Sequence, residues 1–543
     1  MNAVERRMIR GFSFGVSPRR QLSSCMILAG FGLVAAYLVR FIQDDAFISF
    51  RYAANLAHGD GLVFNPGERV EGYTNFLWTL LMAIPPFIGF EGVRFSQALG
   101  LLCFVGSLAM SQKLARMTTN RDADAPLVIL LLATNYSFLC YATGGLETQL
   151  QTFLILTIAC LGLVDNPLGR HRDALLLSGV CGVALLTRLD SIVVIAPILF
   201  VALARTIRNG QAGRPGRILA LMAPAAIVMF TWFAWKLDYY GGVLPNTARV
   251  KGADAEAIWM GLRYVLTFVR SYWMAPVLLF TTLKLSMILR SVNGRVLVVS
   301  VGLWLAYVVV VGGDFMEFRF FVPVLPLAFV LVVLSLPQDT KLKAALVGTL
   351  IVGSLSHALT FRGVGAIESV RGLEAHVVGE EDNWRQVGVA LGEQFHSARP
   401  APSIATTAVG AIPYYSALPT VDMLGLTDPW VARHGIRVGE RPGHRRLATT
   451  SYLVSRNVNL VLGHPQVSTG PGVDCPSYPP SSLTVFGLRD ATRETIPPDA
   501  RVIDLPLGEQ RALRVLYLTR TPELDEIVTR VALRNCPVGT GPR

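Results

Sequence analysis

Long apolar runs alternate with short polar connections from about residue 22 to residue 359. The runs are continuous, not amphipathic, so they read as membrane-spanning helices, about eleven of them. Approximate bounds are 22–39, 95–112, 126–142, 147–164, 174–187, 190–204, 217–235, 272–290, 296–312, 320–336 and 342–359. The stretch Phe76–Phe90 is also apolar, but Pro85-Pro86 interrupts it, and it is expected to lie on or dip into the outer face. Beyond residue 360 the pattern changes. Pro-rich segments separate short strand-like runs at Ser403–Ala408, Leu418–Met423, Asn459–Leu462 and Leu513–Leu518, with helix-like pieces between them. The expected architecture is a polytopic α-helical membrane protein with a C-terminal extracytoplasmic α/β domain. The transmembrane part covers 1–359, with a first outer loop at about 40–94, and the soluble part covers 360–543.

Composition supports the membrane reading. The chain of 543 residues is 52% hydrophobic and only 16% charged, where a soluble protein carries about 25% charge. Mean hydropathy is +0.47. The net charge of +12 would suggest nucleic acid in a soluble protein. Here the basic residues sit between apolar runs and report topology instead, so nucleic acid is excluded as a partner. Alternate connections hold Arg6, Arg7, Arg10, Arg19 and Arg20, then Lys113, Arg116 and Arg121, then Arg170 and Arg172. Arg205, Arg208, Arg214 and Arg217 follow, then Lys284, Arg290 and Arg295, then Lys341 and Lys343. The positive-inside rule makes that side, and the N-terminus, cytoplasmic. An odd number of spans puts the region after 360 outside. The segment Leu22–Leu38 reads as a signal anchor, being too long for a cleaved signal. Of seven cysteines, five lie in or beside apolar runs. Cys475 and Cys536 lie in the polar region, where export would permit a disulfide.

The outer connections collect the unusual polar residues. The string Asp44-Asp45-Ala-Phe-Ile-Ser-Phe-Arg51-Tyr52 follows directly on the first span. Adjacent acids at a membrane surface are costly unless they line a wet cavity, pair with cations or do chemistry. They could also simply cap a loop helix over Ala46–Ala57. Next comes Glu71-Gly-Tyr73-Thr-Asn75-Phe-Leu-Trp78, where acid and amide groups could bind sugar hydroxyls and aromatic faces could stack on a ring. An interfacial belt explains Tyr73 and Trp78 equally well. Glu147, after Gly144-Gly145, is a weaker candidate. Cations able to hold a phosphate on this face are Arg188, Arg249, Lys251 and Arg319, the last beside Asp314 and Glu317. Arg188 could instead pair with Asp190, and Arg249 and Arg319 could snorkel to head groups. His58, His376, His396, His434, His444 and His464 are scattered without ligand spacing and define no metal site. Asp44 or Asp45 could bind a divalent cation, and no other cofactor is indicated. Tyr414-Tyr415, Asp422 and Asp428 read mainly as core and turn residues.

Several strings together resemble the GT-C glycosyltransferases, and most closely the terminal arabinofuranosyltransferases of mycobacteria and corynebacteria. They are Asp44 to Tyr52, Gly61 to Trp78, Gly312-Gly-Asp314-Phe-Met-Glu317-Phe-Arg319-Phe, Val409 to Tyr415, and Asp422 to Asp428. The resemblance implies a GT-C-like fold and a polyprenyl-phosphate sugar donor such as decaprenyl-phospho-arabinofuranose. It implies transfer to a cell-envelope glycan or glycoconjugate outside the cytoplasmic membrane of a bacterium, with an acid of the first outer loop at the reaction centre. In such pairs the first acid is usually favoured, so Asp44 is expected to act as base or stabiliser and Asp45 to orient it or bind a metal. Carboxylates serve the oxocarbenium-like transition state of glycosyl transfer in these roles. Another lipid-linked sugar (a hexose or aminosugar, as in protein mannosyltransferases) fits the same architecture. A transporter of lipid-linked sugar fits less well, because it would place ionisable groups in mid-span with broken helices in matched halves.

Overall fold

The computed structural model describes residues 18–538 except 120–121, 209–214, 252–254, 440, 442, 471–474, 477 and 509. Every apolar run named above contains helix. Among the described residues, five helices are long and apolar enough to cross a membrane: Gly92–Thr118, Leu189–Thr206, Gly216–Tyr240, Val292–Val310 and Thr340–Thr360. The other runs are shorter or broken. The run at 126–142, for example, forms Pro126–Ala133 and Tyr136–Cys140, interrupted where Asn135 caps the second helix. The chain is a multi-pass membrane protein. Phe76–Phe90 forms two short helices, Phe76–Met82 and Ile84–Phe87.

One element lies where a connection is expected. Residues Ala255–Ser271, within the segment 236–272 expected to be an outer connection, form an amphipathic helix. It buries Ala257, Gly261, Tyr264 and Phe268 at helical spacing, while Ile258, Trp259, Leu262 and Leu266 stay exposed. It meets Ala275–Leu283 at a 98° bend. Continuous apolar runs reveal spans, but a helix with one apolar face reads as an ordinary polar connection.

A sheet region occupies the C-terminal side. Its strands are β1 (Ile404–Thr406), β2 (Thr420–Asp422), β3 (Ile436–Arg437), β4 (Arg446–Leu447), β5 (Leu460–Thr469), β6 (Arg501–Pro506), β7 (Arg511–Tyr517) and β8 (Arg534–Pro537). Six form one sheet in the order β2-β1-β5-β7-β6-β8. β1 pairs in parallel with β2 and β5, and the remaining pairs are antiparallel. Alternation along the strands builds two cores. Leu460, Leu462, Ile503, Leu505, Leu513 and Val515 belong to the same continuous core as the helices Val370–Val378 and Trp384–Phe395. Val461, Val502 and Leu516 face a second core with Leu483 and Phe486. Cys475 and Cys536 are disulfide-bonded.

The loop segment that follows the first apolar helix is wedged between these halves. Helix Asp44–His58 packs Phe47 and Phe50 against Tyr414 and Tyr415, with ring centroids 5.4 to 6.1 Å apart. Arg51, buried on the same helix, donates from Nε to the Phe64 carbonyl at 2.7 Å and from Nη2 to the Leu418 carbonyl at 2.8 Å. Its Nη1 donates to the Pro413 carbonyl. Asn65 donates from Nδ2 to the Thr420 carbonyl at 2.9 Å and accepts the Thr420 N–H at 3.0 Å.

Candidate active site

The acids at 44 and 45 open this wedge helix, but they do not cap it. Gln43 is its N-cap and accepts the Asp45 N–H. Both acids fall in the first turn, where the helix dipole favours negative charge. Asp44 is buried and points its carboxylate at the sheet region, accepting the N–H of Gly410 at 3.0 Å and of Ala411 at 2.7 Å. Gly410 is needed there, since a Cβ would run into the Asp44 backbone carbonyl. Burial pushes the Asp44 carboxyl up to about 7, opposed by the two amides and reinforced by Asp45. Asp45, half-buried, lines the same cavity as Asp44.

Charged residues from three further segments of the helical body converge on this cavity. Gly145 (φ +80°) brings its loop close enough that a Cβ would strike Ile42 and Ala46. This sets Glu147 beside the wedge helix. Glu147 accepts from Arg188 Nη1 at 3.0 Å and from Asn75 Nδ2 at 2.8 Å. Arg188 also donates through Nε and Nη2 to Asp190, and Tyr307 adds its hydroxyl to Asp190 at 3.1 Å. Arg319 pairs with Asp314 at 2.8 Å. Burial acts to lower the Arg319 pKa, but Asp314, Glu147 and Asp45 outweigh it, so the guanidinium stays charged.

The opposite wall comes from the sheet region: Glu368, His376, Trp384, Arg441, His444 and His464. Hydrogen bonds to Asp382 and Glu368 raise His376 to about 9. Burial would raise Glu368, yet the bond from His376 and the Arg441 guanidinium bring it down to about 2. These residues lie far apart in sequence and carry no ligand spacing. Only the sheet topology brings them together.

Of the residues expected at the site, Asp44, Asp45, Tyr73, Asn75, Arg188, Asp314 and Arg319 line the cavity, as does Glu147. Tyr73 bonds Tyr240 hydroxyl to hydroxyl at 3.1 Å. Five others do not line the cavity or have side chains outside the described residues. Glu71 forms a buried ion pair with Lys236 at 2.8 Å, because a span residue supplies its counter-ion. Trp78 is core rather than belt, its Nε1 donating to the Gly145 carbonyl at 3.0 Å. Glu317 is buried against His357 at 2.8 Å and accepts the Val370 N–H. The backbone of Arg249 and Lys251 belongs to helix Asn246–Lys251, and their side chains lie outside the described residues. Asp422 accepts backbone N–H groups of Leu424, Gly425 and Thr427, and Asp428 caps Pro429–His434.

ArnT from Cupriavidus metallidurans, solved bound to undecaprenyl phosphate and in the apo state, matches with TM-scores of 0.55 and 0.56 at 12% identity. The match covers 90% of this chain and 97% of ArnT. The fold is therefore GT-C-like, as the sequence motifs imply. In sequence the chain is similar to the terminal beta-(1->2)-arabinofuranosyltransferase of Mycobacterium tuberculosis, 28% identical over 301 residues, which cover 50% of this chain and 44% of that protein. Against the protein of the same name in Corynebacterium glutamicum it is 28% identical over 348 residues, covering 56% and 49%. The chain spans about half the length of these curated relatives. Residues 371–505 match a family described as Domain of unknown function (DUF8728).

Proposed function

We propose that the chain is a membrane glycosyltransferase. It transfers a sugar, D-arabinofuranose by its sequence likeness, from a polyprenyl-phosphate donor to a glycan or glycoconjugate at the outer face of the cytoplasmic membrane. The supporting observation is the cavity itself: one wall carries outer-loop acids and a buried arginine, the other belongs to the sheet region. Donor lipid would approach from the membrane body and acceptor glycan from the sheet side. The N-terminus is then cytoplasmic and the sheet region extracytoplasmic.

Asp45 is assigned as the reacting carboxylate, reversing the roles expected from the motif. Both oxygens of Asp44 already accept backbone N–H groups. Asp45 takes the proton of the acceptor hydroxyl as that oxygen bonds the anomeric carbon. The bond from the anomeric carbon to the donor phosphate breaks, and the lipid phosphate leaves with the electron pair. Arg319 receives the departing phosphate. Its ion pair with Asp314 runs through one Nη, whereas Arg188 spends Nε, Nη1 and Nη2 on Asp190, Glu147 and Thr74. Arg188 positions Glu147 and hence Asn75.

The test is transfer by the purified chain from polyprenyl-phospho-arabinofuranose to a short glycan acceptor, set against polyprenyl-phospho-hexose donors. Transfer of arabinofuranose alone supports the donor assignment. Transfer only from a hexose donor keeps the enzyme class and replaces the sugar.

A further inference from the structure

We propose that His376, Asp382 and His464 bind a divalent transition-metal cation, Zn²⁺ by ligand chemistry, with coordination positions open to the cavity. One potential ligand atom from each lies within 4.8 Å of the others. Ligands of a tetrahedral zinc centre stand about 3.4 Å apart, given bonds of about 2.0–2.2 Å. Rotamer movement of roughly 1 Å therefore closes the set.

The fold presents each ligand for a local reason. His376 stands in the last turn of helix Val370–Val378, and Asp382 lies in the short connection before helix Trp384–Phe395. His464 follows Gly463 (φ +60°), where the pairing of β5 with β7 shifts register. Such a bulge re-aims a side chain out of the strand's alternation, and His464 lines the cavity beside His376.

The surroundings of His376 match those of a metal-bound imidazole. Nδ1 contacts Asp382 at 2.5 Å, and Nε2 is bonded to Glu368. Glu368 is held in turn by Arg441 at 2.5 Å. The ring stacks on Trp384, with centroids 4.7 Å apart and planes 9° from parallel. A carboxylate on the far ring nitrogen fixes the tautomer and orientation of a ligating histidine. On binding, the cation displaces the Nδ1 proton to solvent, and Nε2–H continues to donate to Glu368. Two imidazoles and one carboxylate leave at least one position for water, a phosphate oxygen or a sugar hydroxyl. Zinc binding is read directly, so the site stands or fails independently of which sugar is transferred.

The full-length chain, purified in detergent and stripped with EDTA, is titrated with Zn²⁺, and bound metal per chain is measured by mass spectrometry. Co²⁺ absorption reports the ligand geometry. One equivalent is expected in the wild type and in the exposed control His434→Ala. His464→Ala and Asp382→Asn should bind at least about tenfold more weakly. Glu368→Gln should weaken binding by about 10- to 100-fold while keeping the Co²⁺ spectrum at saturation. Because His464 is exposed, His464→Ala preserves the fold, and an unchanged thermal melt of the metal-free protein verifies this. Overturning results are a folded wild type that takes up no zinc, or a folded His464→Ala that binds as tightly as wild type.

Discussion

Asp44 and Asp45 are adjacent, yet their surroundings separate them. The Asp44 carboxyl is buried against two N–H groups and raised to about 7 from an ordinary value of 3.8. A raised carboxyl pKa means that the folded state holds the proton longer. Its stabilising contribution is complete below about pH 4 and is lost as pH rises toward 7, an effect on the order of 4 kcal/mol. Asp44→Asn carries no such titration. The melting temperature of wild type minus that of Asp44→Asn should therefore fall between pH 5 and pH 8. A difference that rises with pH would mean the carboxylate is stabilised rather than strained. Glu71 and Lys236 give a second residue-scale prediction. Lys236→Met alone leaves a buried carboxylate unpaired and should cost about 3–5 kcal/mol, while adding Glu71→Gln should restore most of the loss. A thermal melt of both variants checks it. Adjacency made the acid pair visible in the sequence, as composition made Asn75 visible. Lys236 was hidden because a lysine at the end of the apolar run 217–235 carries no sign of its partner. The grouping of His376, Asp382 and His464 depends on chain segments far apart in sequence and could not be read from spacing.

At the level of elements, the wedge helix Asp44–His58 joins the two halves. Its Arg51 satisfies carbonyls of Pro413 and Leu418 in the sheet region. Arg51→Ala removes the charge-assisted hydrogen bonds to these carbonyls, which keep only the Ala417 N–H on Pro413 and the Thr420 hydroxyl on Leu418, and should destabilise by roughly 2–4 kcal/mol. Limited proteolysis should show cleavage on the sheet side of residue 360 before the membrane helices are cut. Uniform resistance would show that the wedge does not depend on Arg51. The apolar helices were legible because continuous apolar runs need no context, although only five of the described helices are long enough to cross a membrane. The strands near 404, 420, 460 and 513 were legible through their branched and apolar residues. β6 and β8 were not, since Arg501, Asp504, Arg534 and Asn535 break their apolar pattern and the register with β7 and β6 supplies the ordering. The amphipathic helix Ala255–Ser271 escaped notice for the related reason that half its surface is polar.

For the whole molecule, the account requires the sheet region to lie outside the membrane. The bonded Cys475–Cys536 pair fits an oxidising compartment. The five remaining cysteines are all buried, so labelling background is low. A cysteine introduced at exposed His434 should react with a membrane-impermeant maleimide in intact cells, and labelling only after lysis would reverse the topology. The bond closes a loop with a sequence separation of 61, and Cys536→Ala should cost about 4 kcal/mol in the chain-entropy account.

The central claim is that the cavity between the wedge helix and the sheet region is a glycosyl-transfer site with Asp45 at its reaction centre. The most direct measurement is single-turnover transfer from polyprenyl-phospho-arabinofuranose to a short glycan, comparing wild type, Asp44→Asn and Asp45→Asn with donor binding measured in parallel. The account predicts that Asp45→Asn binds donor normally and loses at least about 100-fold in rate. Asp44→Asn should lose rate in proportion to its loss of stability. Full transfer by a folded Asp45→Asn would contradict the account.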